Sequence, residues 1–153
     1  MASHMLKFVP FHARRVAAGR KDQTIRPLQR SATRVGDLLH LWEGTRHTAV
    51  RKLGVGRVIK VGRITVPDDA RGPSFQGEGA AALARREGFR DWPEMRAFIR
   101  QMHGLPFTGL LIRWERVQEG DAAPRAGAAQ GGRPPGRKPA LKKHRSRRPP
   151  RPR

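Results

Sequence analysis

Gly19-Arg20-Lys21-Asp22-Gln23-Thr24-Ile25-Arg26 is the stretch from which the rest of the chain can be read. It places one lysine, one threonine hydroxyl and two arginines directly after a short amphipathic segment, Phe11 to Ala18, whose helix-like spacing stops at Gly19. Pro27 disfavours helix in the residue before it, so Asp22 to Arg26 should be extended. Such a helix-to-strand junction can grip a phosphate or activate a hydroxyl. Lysine is a base only when its ammonium pKa is pulled down, and nearby cations with partial burial do that. Arg20 and Arg26 are the candidate cations.

Working outward, Leu6 to Val9 reads as a short strand stopped by Pro10. The Val35-Gly36-Asp37 turn leads into an apolar strand, Leu38 to Trp42. Val50 to Val66 is rich in β-branched residues and carries three glycines, which predicts two strands with a bend or bulge between them. Pro67 to Gly79 is loop material, and Ala80 to Arg86 and Trp92 to His103 read as helices. The second has Asp91 or Trp92 near its cap, Pro93 near its start, Gly104 after its end, and Met95, Phe98, Ile99 and Met102 on one face. Thr108 to Val117 closes the domain as a strand. The class expected is α+β: a small curved sheet or barrel of about five or six strands with two or three short helices.

Composition changes near Gln118. Residues 119–153 hold 11 Lys or Arg, 2 acidic residues and many Pro, Gly and Ala, with Leu141 the one large aliphatic residue. A segment that cannot bury apolar surface is expected to be disordered. It contributes +9 of the chain's net +21, so residues 1–118 are basic in their own right. Polyanions are the natural partners of such charge, RNA first and DNA second. No apolar run has bilayer-spanning length, and no apolar leader segment is evident, so the cytoplasm is the expected location. Met1 to Met5 resembles an expression-vector remnant, with the natural chain expected to begin at Met5 and the domain to occupy residues 6–118. The chain of 153 residues has no cysteine, which excludes disulfides, thiol catalysis and thiolate-bound zinc.

In this order the pieces resemble an ASCH domain, a β-barrel related to the PUA domains that bind modified RNA. The resemblance spans residues 6–117. It rests on Gly19, Lys21, Thr24 and Arg26, which fill the four positions of a Gly-x-Lys-x-x-Thr-x-Arg signature. The turn at Val35-Gly36-Asp37, the run Glu87-Gly88-Phe89 before the long helix, and Leu105-Pro106-Phe107 before the last strand support it. The resemblance implies RNA or nucleoside binding in a cleft beside the barrel. It also implies, from small bacterial members, hydrolysis of the acyl amide of N4-acetylcytidine by Lys21, Thr24 and Glu87, without a cofactor. The basic tail departs from the pattern of those amidohydrolases and favours a larger nucleic-acid substrate or simple RNA binding.

Each candidate has a plainer alternative. Lys21 and Thr24 are three apart, so in a regular strand their side chains diverge, and convergence needs a bend. Lys21 could be a solvated phosphate contact and Glu87 a helix-end carboxylate paired with Arg86 or Arg90. Trp42 is either core or a base-stacking wall of the substrate site beside Arg20 and Arg26. Arg46, Arg51, Lys52 and Arg57 on the middle strands, with Arg14, Arg15 and Arg30, are phosphate contacts if they share a face. The tail residues Lys142, Lys143, Arg145, Arg147 and Arg148 form a basic arm for nucleic acid. His12, His40, His47 and His103 lack metal-ligand spacing, and Asp68-Asp69 has no spaced partner, so no metal is expected. A binding module without catalysis, and a ribonuclease using paired histidines, are the competing functions.

Overall fold

The chain is described here by a computed structural model covering residues 1–28 and 32–122. Five strands and four helices alternate as β1 (Ser3–Phe8), α1 (Pro10–Ala17), β2 (Gln23–Pro27), β3 (Leu38–Gly44), β4 (Ala49–Val66), α2 (Ala80–Arg86), α3 (Trp92–His103), β5 (Phe107–Val117) and the single turn α4 (Glu119–Ala122). The strands form one curled sheet in the order β1-β3-β4-β5-β2, parallel between β1 and β3 and antiparallel elsewhere. This is the expected α+β class with the expected strand number. No helix among the described residues is long and apolar enough to cross a membrane.

Local chemistry accounts for the elements. Gly19 adopts φ 73° just past the end of α1, the left-handed stop that glycine accepts most easily. The Asp91 side chain accepts from the Glu94 N–H at 2.9 Å and caps α3, with Pro93 in its first turn. The Asp37 carboxylate closes its turn by accepting from the Arg34 N–H at 2.9 Å.

Two boundaries differ from expectation. β1 begins at Ser3 rather than Leu6, because its pairing with β3 runs through backbone groups that any residue supplies. Residues 49–66 form one 18-residue strand rather than two. The bend is absorbed by extra residues at Leu53, opposite the Leu41/Trp42 step, and at Ile59, opposite the Arg113/Trp114 step. A bulge twists a strand without ending its ladder.

Both faces of the sheet are covered. Leu6, Phe8, Leu39, Leu41, Val58, Ile112 and Trp114 pack beneath α1 through Ala13 and Val16. On the other side Val66, Phe89, Trp92, Met95 and Ile99 pack with α2 and α3, beside a smaller cluster of Ile64, Phe75, Leu83 and Leu111. The alternation along β5 sends Ile112 and Trp114 to one core and Leu111 to the other. Gly56 on β4 permits that packing: a Cβ there would lie 2.6 Å from Trp114 Cδ1. Gly56→Ala is therefore expected to destabilise the fold by about 1–3 kcal/mol, as overpacking does, read as a lower midpoint in urea.

Candidate active site

α1 ends at Ala17, and after Gly19 the chain turns into β2 so that Lys21, Gln23 and Thr24 are all buried. α2 ends at Arg86 with Glu87 as its C-cap, and Gly88, at φ 91°, turns the chain toward α3. Lys21 Nζ donates to Glu87 Oε2 at 2.9 Å and to the Glu87 carbonyl at 2.6 Å. Lys21 is 3% exposed and Glu87 6%, so this is an ion pair removed from solvent. Burial lowers the Lys21 pKa from the ordinary lysine value; Glu87 opposes the shift and Arg26 adds to it.

A polar chain fixes the pair. Gln23 Nε2 donates to Glu87 Oε1 at 3.1 Å, and Gln23 Oε1 accepts two bonds from Arg113, at 3.1 and 2.6 Å. Arg113 Nη1 donates in turn to Glu78 at 2.6 Å, which holds that carboxyl below its usual range. Glu78 also pairs with Lys60 and Arg86. Every link satisfies a group that would otherwise be stranded.

The pair lies on the wall of a cavity of about 230 Å³ between the end of β1, β2 and α3, lined also by Phe8, Ile25, Phe89, Phe98, Met102 and Phe107. Thr24 and Arg26 line it too. Arg26 Nε donates to Thr24 Oγ1 at 3.3 Å, its Nη2 donates to the Lys7 carbonyl at 2.7 Å, and its guanidinium sits 5.1 Å from the Phe8 ring centroid. The result is an apolar, aromatic pocket with a few convergent polar groups, the usual make-up of a small-molecule site.

No protein-family model matches the chain, and no curated protein matches it. Among solved structures, a protein of the DUF984 family from Enterococcus faecalis V583 aligns over 76% of this chain and 81% of its own, with 18% identity and a TM-score of 0.50. The ASCH protein from Zymomonas mobilis aligns over 74% of this chain and 66% of its own, with 10% identity and a TM-score of 0.46. The fold is shared with the Enterococcus faecalis DUF984 protein. At these identities the likeness concerns architecture alone.

Within this fold the sequence-derived residues divide. Lys21, Thr24, Arg26 and Glu87 come together at the cavity. Arg20 does not: it is exposed and lines a separate depression with Arg15 and Arg85, so burial rather than Arg20 lowers the Lys21 pKa. Trp42 is half-buried on β3 between Lys7 and Lys52 and lies outside the cavity lining. Arg51 pairs with Glu43, and Lys52 with Glu119 at 2.5 Å. Arg57 lies further along β4 opposite Leu38, and Arg46 sits in the loop after β3. Arg30 and the arm residues Lys142, Lys143, Arg145, Arg147 and Arg148 fall outside the described residues. Asp68 is occupied by Arg96 and Arg100, and Asp69 accepts from the Arg71 and Gly72 N–H groups. Among the described residues no three His, Asp or Glu side chains converge as metal ligands.

Sequence reasoning missed Gln23 and Arg113, whose pairing spans 90 positions, and it undervalued His12. His12 and His103 line the same cavity. His12 is packed edge-on against Phe89 and Phe98, and its Nδ1 is buried with no hydrogen-bond partner. Burial, then the positive charge of Lys21, Arg15 and Arg26, lowers its pKa to about 3. A depressed histidine pKa means that the folded state binds its proton less readily than the unfolded chain. Its contribution is therefore fully present above about pH 6.5 and is lost as pH falls toward 3. His12→Phe keeps the aromatic packing and removes this titration. The variant is expected to show a flatter melting temperature between pH 6.5 and 3 than the parent protein.

Proposed function

We propose that the cavity receives a nucleoside and that Lys21, Thr24 and Glu87 hydrolyse the acyl amide of N4-acetylcytidine. The observation that carries this reading is the buried Lys21–Glu87 pair, 2.9 Å apart on the wall of an aromatic-lined cavity. Holding two charges in a dry site is costly, and passing the shared proton from Lys21 to Glu87 relieves that cost. The neutral pair is then both base and acid. Lys21 takes the Thr24 hydroxyl proton, and Thr24 Oγ1 attacks the acyl carbon. The Arg26 guanidinium, already bonded to that oxygen, lowers the energy of the negative charge that develops. The bond from the acyl carbon to N4 breaks as Glu87 delivers its proton to the nitrogen, leaving cytidine and an acetyl ester on Thr24. Water then attacks the ester. Glu87 takes the water's proton, Lys21 returns one to the Thr24 oxygen, and acetate leaves. The test is acetate release from N4-acetylcytidine by the full chain; absence of turnover by folded protein would remove this activity.

A second reading, nucleoside or RNA binding without catalysis, is favoured by one detail: the Thr24 hydroxyl is engaged by Arg26 and not by Lys21. It predicts saturable nucleoside binding with no product. The ribonuclease alternative would draw on His12 and His103, which line the cavity and whose pKa values burial lowers.

A further inference from the structure

Beside the cavity lies a second feature. Arg15, Arg20, Arg85 and Arg90 line one open depression together with Gly88 and Phe89, and no carboxylate lines it. Arg15 is tethered, its Nη1 donating to the Phe11 carbonyl at 3.1 Å and its guanidinium stacked 3.8 Å from the Phe11 centroid. Arg90 is tied to Asp91. Arg20 and Arg85, both exposed, have no carboxylate within salt-bridge distance among the described residues. Four guanidinium groups gathered around one concavity repel one another, and an anion with several acceptor oxygens removes that repulsion while matching their planar donor forks.

The depression and the cavity share one lining residue. Phe89 is a common wall of both. Gly88, which lines the depression, is packed close to both Arg15 and Lys21: a Cβ there would lie 2.8 Å from Arg15 Cδ and 3.5 Å from Lys21 Cβ. We propose that the Arg15–Arg20–Arg85–Arg90 depression is a phosphate site for a nucleotide or nucleic-acid strand whose base enters the adjacent cavity. The inference rests on the nucleoside reading for what occupies the cavity. The phosphate belongs to a mononucleotide or to a strand, and binding measurements separate the two.

The experiment uses the full chain and three probes: N4-acetylcytidine, its 5′-monophosphate, and a four-nucleotide single-stranded RNA carrying one N4-acetylcytidine. Affinities are measured at several salt concentrations for the parent, for the double variant Arg20→Glu/Arg85→Glu, and for Arg63→Glu/Arg71→Glu. The last pair alters two exposed arginines elsewhere by the same total charge, which controls for the basic tail and overall field. The expected result is that phosphate-bearing probes bind at least about tenfold tighter than the nucleoside and that only the Arg20/Arg85 variant loses this gain. Nucleoside affinity should stay within about twofold. Tight monophosphate binding assigns the site to a mononucleotide; a gain confined to the tetranucleotide assigns it to a strand. Equal losses in both double variants would overturn the proposal, showing only general attraction. If the nucleoside fails to bind but the tetranucleotide still depends on Arg20 and Arg85 selectively, the phosphate site stands and the cavity reading falls.

Discussion

Lys21→Ala is expected to abolish acetate release from N4-acetylcytidine, lowering kcat/KM by about 10³-fold or more. Removing a base within reach of the nucleophile typically costs about 10²–10⁴-fold, and here the same group also donates to Glu87. Alanine leaves the Glu87 carboxylate buried without its ammonium, so thermal melting must confirm that the variant is folded. Two changes at Thr24 separate chemistry from structure. Thr24→Ser retains the hydroxyl and should keep much of the rate, whereas Thr24→Val keeps the shape and should lose it. Full activity in Thr24→Val would eliminate threonine as nucleophile, and full activity in a folded Lys21→Ala would eliminate the lysine as base.

The second large effect is on stability. Glu87→Ala should cost about 3–5 kcal/mol, because it strands the Lys21 ammonium at 3% exposure and frees the Gln23 amide from its acceptor. The measurement is a denaturant midpoint shift at constant slope. The penalty comes from an uncompensated charge rather than from the net value of the pair. Replacing both partners, Lys21→Met with Glu87→Leu, should therefore be far less damaging than the sum of the single changes. Additivity in that cycle would mean that the two side chains do not depend on each other.

The architecture was legible because short-range signals agreed with one another. Gly19 stopped a helix, Asp91 and Pro93 started one, and Pro27 kept its predecessor extended. The catalytic candidates came from a signature rather than from spacing, and spacing argued against Lys21 and Thr24 meeting. Lys21 precedes β2, so the strand's strict alternation does not govern its direction, and it lines the same cavity as Thr24 while bonding to Glu87. Gln23 and Arg113 were missed, and His12 undervalued, for a different reason. Their importance depends on partners from distant segments and on burial, neither of which a linear pattern encodes. Trp42 and Arg20 were misplaced by the opposite error, since chemical aptness for stacking or for binding anions says nothing about which wall of the molecule a residue occupies.

The outer strands β1 and β2 are the two ends of the sheet, and the contact from Arg26 to the Lys7 carbonyl joins them where a closed barrel would carry a row of amide bonds. A seam fastened by a side chain yields more readily than a ladder. Adaptation to ligands of different girth should therefore occur by parting of these margins, while the β3-β4-β5 centre stays rigid.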